Sequence, residues 1–170
     1  MTTPTRPPTA LTRIADAAER GLAWLLVLLM GVIVVDVSWQ VASRFLLRAP
    51  SSFTEELAGY LLIWIGVLGA AYGFRTRAHL GIDLLVARLR GGARRAAAVI
   101  AHTLVAAFAL STMVIGGALL VRLALQLDQI SAALGIRVGF VYLALPLAGI
   151  VIILFSIESI VRAATAEDAR

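Results

Sequence analysis

Residues 51–83 read SSFTEELAGYLLIWIGVLGAAYGFRTRAHLGID, and this stretch decides the fold of the chain. It opens on a helix-start signal in which Ser52 is placed to cap the backbone and Glu55 to complete a capping box. A second acid, Glu56, shares that first turn, where the helix dipole favours negative charge. Leu57 to Phe74 then carries no formal charge over a length that can cross a bilayer. The residues that follow this uncharged run are polar and mostly basic: Arg75, Arg77, His79 and Asp83. The stretch therefore predicts a membrane-spanning helix.

Small residues mark one face of this predicted helix. Gly69 and Gly73 have the GxxxG spacing that lets a second helix approach closely, and Gly66 and Ala70 extend the same face. A further pair, Gly116-Gly117, offers a similar surface later in the chain. We expect these glycines to be helix-packing positions.

The composition agrees with a membrane protein. Hydrophobic residues make up 61% of the 170 residues and charged residues 15%, against roughly 45–50% and about 25% in soluble domains. The net charge is +5, and all 15 basic residues are Arg, which collects in cytoplasmic loops of membrane proteins, so nucleic acid binding is not expected. The absence of Cys excludes disulfides and thiol chemistry. Two separated His are too few for a self-contained metal site.

Repeated apolar runs predict an all-α integral membrane protein with four transmembrane helices and short interfacial amphipathic helices. A cytoplasmic N-terminal segment, residues 1–20, is predicted to contain an amphipathic helix on the membrane surface, with a simple extension of the first span as the alternative. A second interfacial segment is predicted from His79 to Arg90. The spans are expected at about 21–43, 53–75, 96–121 and 138–161, within a domain of 21–161 that a tail of 162–170 follows.

Asp36 lies inside the first predicted span, where an acid is a functional hypothesis by default. Gln40 and Arg44 follow at i+4 and i+8, so the three side chains form a polar stripe on one face. The stripe can pair internally or with another chain, and this interpretation is favoured over an ion site. Arg122, near the same membrane face, is a second candidate partner for Asp36.

Three residues in the later spans have structural interpretations. Tyr142 suits the aromatic belt at a membrane interface. Pro146 is expected to kink the fourth span or to lie in its first turns. His102, near the start of the third span, is interpreted as an interfacial or hydrogen-bonded residue in preference to a ligand.

Arg counts predict the orientation. The N-terminal segment, the middle loop and the tail carry eleven Arg in total, while the other side carries Arg44, Arg48, Arg122 and Arg137. The positive-inside rule then places both termini in the cytoplasm. Glu55 and Glu56 face outward, and His79 and Asp83 face inward.

Catalytic signatures are absent from the sequence. It contains no phosphate-binding glycine loop, no nucleophile elbow and no zinc-protease helix motif. An enzyme and a bound cofactor are therefore not expected, and the residues favour an accessory subunit that packs against a larger partner. Two alternatives stay open: a self-contained small proton-coupled exporter that uses Asp36, and a membrane anchor for an oxidoreductase.

Several segments, taken in order, resemble the small membrane subunit of TRAP transporters, the tripartite ATP-independent periplasmic family (DctQ-like). Trp64 and Gly69 also fit the family pattern. The segments are Gln40-Val41-Ala42-Ser43-Arg44-Phe45, Thr54-Glu55-Glu56-Leu57, Arg77-Ala78-His79-Leu80-Gly81-Ile82-Asp83 and Gly139-Phe140-Val141-Tyr142-Leu143-Ala144-Leu145-Pro146-Leu147.

The resemblance implies an inner-membrane subunit, surrounded by membrane lipid, that scaffolds a large TRAP membrane subunit. That partner is expected to hold the substrate and sodium sites, and a periplasmic substrate-binding protein to deliver a solute, often an organic acid. Glu55, Glu56 and Arg44 are expected to order the outer ends of the first two spans. His79 and Asp83 are expected to fix the cytoplasmic interfacial segment.

Overall fold

The structure is a computed structural model that describes residues 10–46, 52–76 and 92–165. Within these ranges, four helical stretches are long and apolar enough to cross a membrane. The predicted class, an all-α protein with four transmembrane helices, is confirmed. The stretches are Ala10–Phe45, Ser52–Arg75, Gly92–Gln126 and Gly139–Ala164.

The helices are not all regular. The third stretch contains a π-helical segment between two α-helices, and the fourth is interrupted at Leu143. In chain order the elements are α1 (Ala10–Phe45), α2 (Ser52–Arg75), α3 (Gly92–Phe108), the π segment (Ala109–Gly116), α4 (Gly117–Gln126), α5 (Gly139–Tyr142) and α6 (Ala144–Thr165).

The first helix is longer than a membrane span requires. α1 runs for 36 residues without a break, against the ~20 that cross a hydrocarbon core. Within the described residues, the N-terminal segment therefore does not form a separate surface helix. From Ala10 onward it is an extension of the first span, which was the alternative interpretation. The interfacial segment predicted from His79 to Arg90 lies outside the described residues.

The central helix of the bundle is α6, which contacts α1, α2, α3, α4, α5 and the π segment. Its side chains Ala144, Ala148, Ile152 and Phe155 are buried, and their spacing of four, four and three residues places them along one face. Two of the four are alanines, which let neighbouring backbones come close. Because lipid tails are as apolar as these side chains, close packing rather than the hydrophobic effect holds helices together in a bilayer.

Glycines mark the closest approaches to the fourth span. A Cβ added at Gly149 would lie 2.8 Å from Met113 Cβ in the π segment. A Cβ at Gly117 would lie 2.9 Å from Pro146 Cδ, which confirms the close approach expected at the Gly116-Gly117 pair. These distances are shorter than any side chain tolerates, so only glycine permits this packing.

Pro146 explains the interruption of the fourth span. Proline has no backbone N–H, so residue 146 cannot donate to the carbonyl of Tyr142 four residues earlier. α5 ends at Tyr142, and Pro146 lies in the first turn of α6. The expectation that Pro146 kinks the span or lies in its first turns agrees with this geometry.

We expect Gly149→Ala to destabilise the isolated chain by about 1–3 kcal/mol, because the new methyl group must displace the π segment. Gly69→Ala is the matched control, since a Cβ at Gly69 meets no atom within 4 Å. Thermal unfolding in detergent would compare them. Equal melting temperatures for the two variants would contradict the packing described here.

Candidate functional site

One guanidinium joins three helices at the end of the bundle where α1 begins and α6 ends. Arg75, the last residue of α2, donates to Asp16 Oδ1 at 2.7 Å and to Glu19 Oε2 at 3.1 Å, both on α1. It also donates to Glu158 Oε2 on α6, at 2.6 Å. We call these four residues the Arg75 cluster. A planar guanidinium with five N–H donors can satisfy three carboxylates at once, which an ammonium group cannot do in this fixed geometry.

Within the Arg75 cluster, the Arg75–Glu158 pair is shielded from solvent, whereas Asp16 and Glu19 are partly exposed. The Arg75 side chain is 10% exposed and that of Glu158 only 2%. The guanidinium carbon also lies 5.3 Å from the ring centroid of Phe155, and Arg162 pairs with Glu158 from the next turn of α6. A buried carboxylate that loses its cation is costly, so Glu158 depends on this arrangement.

A second polar cluster lies at the opposite end of α2. Glu56 Oε2 accepts the backbone N–H groups of Ala133 at 2.7 Å and Leu134 at 3.3 Å, while Glu56 Oε1 accepts the Tyr60 hydroxyl at 2.7 Å. The Ser131 hydroxyl accepts the Leu134 N–H as well. We call these five residues the Glu56 cluster. It fixes the connection between the third and fourth spans to the start of α2.

The connection is a tight turn that needs its glycine. Gly135 has φ +67°, a left-handed conformation that other residues adopt at a cost. Its N–H donates to the Ser131 carbonyl, and Ser131 N–H donates to the Ile136 carbonyl. The turn thereby presents the N–H groups of Ala133 and Leu134 to the Glu56 carboxylate.

The two clusters are separated by about one membrane thickness. Glu56 and Arg75 are 19 residues apart on α2, or about 28 Å at 1.5 Å per residue. The hydrocarbon core of a bilayer is about 30 Å thick. The polar contacts therefore lie near the two membrane boundaries, and the apolar helix surfaces lie between them.

Asp36 is buried in α1, with 7% of its surface exposed, and within the described residues its Oδ2 accepts no hydrogen bond. Gln40 on the same face is half-buried, and Arg44 is exposed. The suggested pair with Arg122 is wrong for this chain, because α4, which carries Arg122, does not contact α1. Whether the polar stripe meets another chain stays a prediction.

The small-residue face of α2 contacts no other helix within the described residues. Cβ atoms built at Gly66, Gly69 and Gly73 meet nothing within 4 Å, unlike those at Gly117 and Gly149. The expected helix contact at this GxxxG pair is therefore absent from the described part of the chain. The face stays available to a partner.

The other residues predicted from the sequence are either packed against the helix bundle or exposed on its surface. Trp64 is half-buried against the core, and Tyr142 is half-buried. His102 makes an edge contact with Phe74, with ring centroids 5.8 Å apart, in keeping with a packed histidine. Glu55, the predicted capping-box residue, is exposed, and its neighbour Glu56 makes the described contacts instead. His79 and Asp83 lie outside the described residues.

The Arg75 cluster was missed by reasoning from the sequence. Asp16, Glu19 and Glu158 are not among the site residues predicted from the sequence. Asp16 and Glu19 lie three residues apart on one face of the extended α1, opposite the Arg that ends the neighbouring antiparallel span. This pattern is a sequence signal for an ion pair between the two helices. Pairing with Glu158 requires knowledge of which helices touch.

Comparison with known proteins places this chain in a family. The family model described as "Tripartite ATP-independent periplasmic transporters, DctQ component" matches residues 33–166, well over half of the chain. The chain belongs to the DctQ component family of TRAP transporters. The matched range contains the Glu56 cluster, Arg75 and Glu158, whereas Asp16 and Glu19 precede it.

Curated relatives of this DctQ-family chain are named as small permease proteins. The sialic acid TRAP transporter small permease protein SiaQ of Vibrio cholerae is 28% identical over 137 residues, 78% of this chain and 75% of that protein. A putative TRAP transporter small permease protein of Haemophilus influenzae is 29% identical over 45% of this chain and 47% of its own length. The C4-dicarboxylate TRAP transporter small permease protein DctQ of Rhodobacter capsulatus is 46% identical over 43 residues, 25% of this chain and 19% of that protein. This chain is accordingly a small permease subunit of a TRAP transporter and a multi-pass membrane protein.

We expect Arg75→Gln to lower the free energy of unfolding by roughly 3 kcal/mol, because it leaves Glu158 buried with less compensation. Arg13→Gln, an exposed change of the same kind on α1, is the control. The double variant Arg75→Gln with Glu158→Gln should lose less than the sum of the single variants. Denaturant titration in detergent measures the native chain, both single variants, the double variant and the control, and additive losses would contradict direct coupling.

Glu56→Ala is expected to release the turn at residues 131–135, since the turn loses the carboxylate that accepts two of its N–H groups. Limited proteolysis of the protein in nanodiscs should then cut this turn several-fold faster. Glu55→Ala, one residue away and exposed, should leave the cleavage rate unchanged. If the two variants were cleaved equally fast, Glu56 would not hold the turn.

Proposed function

We propose that this small permease subunit is the static scaffold on which the large, sodium-coupled membrane subunit of its transporter is mounted. The supporting observation is the small-residue face of α2, which the described part of the chain leaves open at Gly66, Gly69 and Gly73. In a bilayer such faces are packing surfaces, because small residues let backbones meet. A scaffold needs an uncovered surface of this kind.

Rigidity of the bundle supports the same role. The Arg75 cluster joins α1, α2 and α6 at one membrane boundary, and the Glu56 cluster joins α2 to the turn before the fourth span at the other. A helix held at both ends resists tilting and sliding. A partner that moves during transport can then work against a fixed surface.

Orientation and solute follow as parts of the proposal. The excess of Arg on the side of the termini favours cytoplasmic termini in the inner membrane. The Glu56 cluster then faces the periplasm, where the substrate-binding protein delivers its solute. The relatives' names mention sialic acid and C4-dicarboxylates, which are organic acids, and an organic acid is accordingly the proposed class of solute. The relatives give no support to a self-contained exporter that uses Asp36.

The test is co-purification with the large subunit after expression of both genes together. Gly69→Leu with Gly73→Leu is expected to reduce the recovered large subunit at least about fivefold, since the added side chains hold the partner helix away. The melting temperature of the isolated chain should not fall, because a Cβ built at either glycine meets no atom within 4 Å.

Ala107→Leu on α3 is the matched control, a small exposed residue enlarged in another span. It should leave the yield of the complex unaltered. Full recovery of the large subunit with the double glycine variant would contradict docking on α2. An isolated chain that transports a solute without any large subunit would contradict the scaffold role itself.

A further inference from the structure

A groove of about 450 Å³ lies between α4 and the start of the fourth span. Successive turns of one α4 face form one wall, and the helix break before α6 forms the other. The size falls in the range of sites that bind small molecules. The lining residues are Ala118, Val121, Arg122, Leu125, Gln126, Leu143 and Pro146.

The packing of the fourth span keeps this groove open. Gly117 brings Pro146 against α4 at one point, and Gly139 brings α5 against Leu125 at another. Between these contacts the chain breaks at Leu143, and Ala118 contributes only a methyl group to the opposite wall. The space is therefore bounded by close contacts on both sides.

The groove is apolar except at one end. Arg122 and Gln126 are both exposed and lie on the last turns of α4, at the membrane boundary that also holds the Glu56 cluster. In the described part of the chain, Arg122 forms no ion pair with a carboxylate: Asp128 pairs with Arg137, and Glu56 accepts backbone N–H groups. The Arg122 guanidinium thus lies at the boundary end of an otherwise apolar groove.

We propose that this groove binds one membrane phospholipid, with an acyl chain along Val121, Leu125 and Leu143 and its phosphate on Arg122. A guanidinium offers two parallel N–H donors to a phosphate, and such charge-assisted hydrogen bonds are among the strongest in proteins. Arg122 lies only four residues, about 6 Å, before the end of α4, so its side chain reaches the headgroup level. The Gln126 side chain is placed to donate to the same headgroup.

A lipid fits these walls better than a partner helix does. Close helix packing in a bilayer favours small residues, whereas here Ala118 is accompanied by the large side chains of Val121, Leu125 and Leu143. A flexible acyl chain adapts to such an uneven wall. The basic rim adds charge complementarity to the phosphodiester, which an apolar helix does not provide.

The test uses the complete transporter in nanodiscs that contain phosphatidylglycerol with a photoreactive acyl chain. After illumination, peptide mass spectrometry should place crosslinks on residues 118–126 and 143–146. Arg122→Gln is expected to reduce their yield about tenfold through loss of the charged hydrogen bonds. Ala118→Phe should reduce it as well by filling the groove.

Arg137→Gln is the matched control, an exposed cation at the same membrane boundary that does not line the groove. It should leave the crosslink yield unchanged, and all variants should keep the melting temperature of the native chain. Equal crosslinking of the native and Arg122→Gln transporters would overturn the proposal. Crosslinks that appear only in the isolated chain would also overturn it, since the large subunit would then occupy the groove. Loss of crosslinks on adding millimolar inorganic phosphate alone would likewise overturn it.

Discussion

The fold depends on a single guanidinium held by three carboxylates from two neighbouring helices. Because Glu158 is almost fully buried, it requires the charge of Arg75, and this requirement fixes how α2 lies against α6. Asp16 and Glu19 extend the same requirement to α1. The unusual length of α1 follows, since its first turns must continue beyond the ~20 residues of a membrane span to bring both acids to Arg75.

Between the polar ends, glycine positions distinguish internal packing from external packing. Neighbouring atoms of the same chain occupy the space beside Gly117 and Gly149, whereas a Cβ built at the glycines of α2 meets no atom within 4 Å. Apolar side chains alone do not distinguish these surfaces in a bilayer, because contact with lipid tails and contact with protein are similarly favourable for them. The glycines in close contact thus lie in the core of the subunit, and the open glycines of α2 lie on the surface proposed for its partner.

Charge-free runs between polar ends were enough to predict four spans, because a bilayer imposes its thickness on each helix separately. Pro146 marked the interruption for an equally local reason. Contacts between spans were harder: Arg75 is 83 residues from Glu158, and the suggested Asp36–Arg122 pair was wrong because the two helices do not touch. Glu55 and Glu56 show the same limit, since a step of one residue turns a side chain by about 100° around a helix, and only the fold shows which acid meets the turn.

The most direct test of a static scaffold is the distance between spin labels within this chain in the assembled transporter. The sequence has no Cys, so labels can be placed on Thr76 and Val161 at one boundary and on Phe53 and Ile130 at the other, all exposed positions. Double electron–electron resonance would be recorded with and without sodium and the solute-loaded binding protein. A rigid scaffold predicts one narrow distance distribution for each pair, unchanged between conditions. A distribution that splits or shifts by several ångströms during transport would contradict the account, because the two polar clusters would then not hold the bundle as one body.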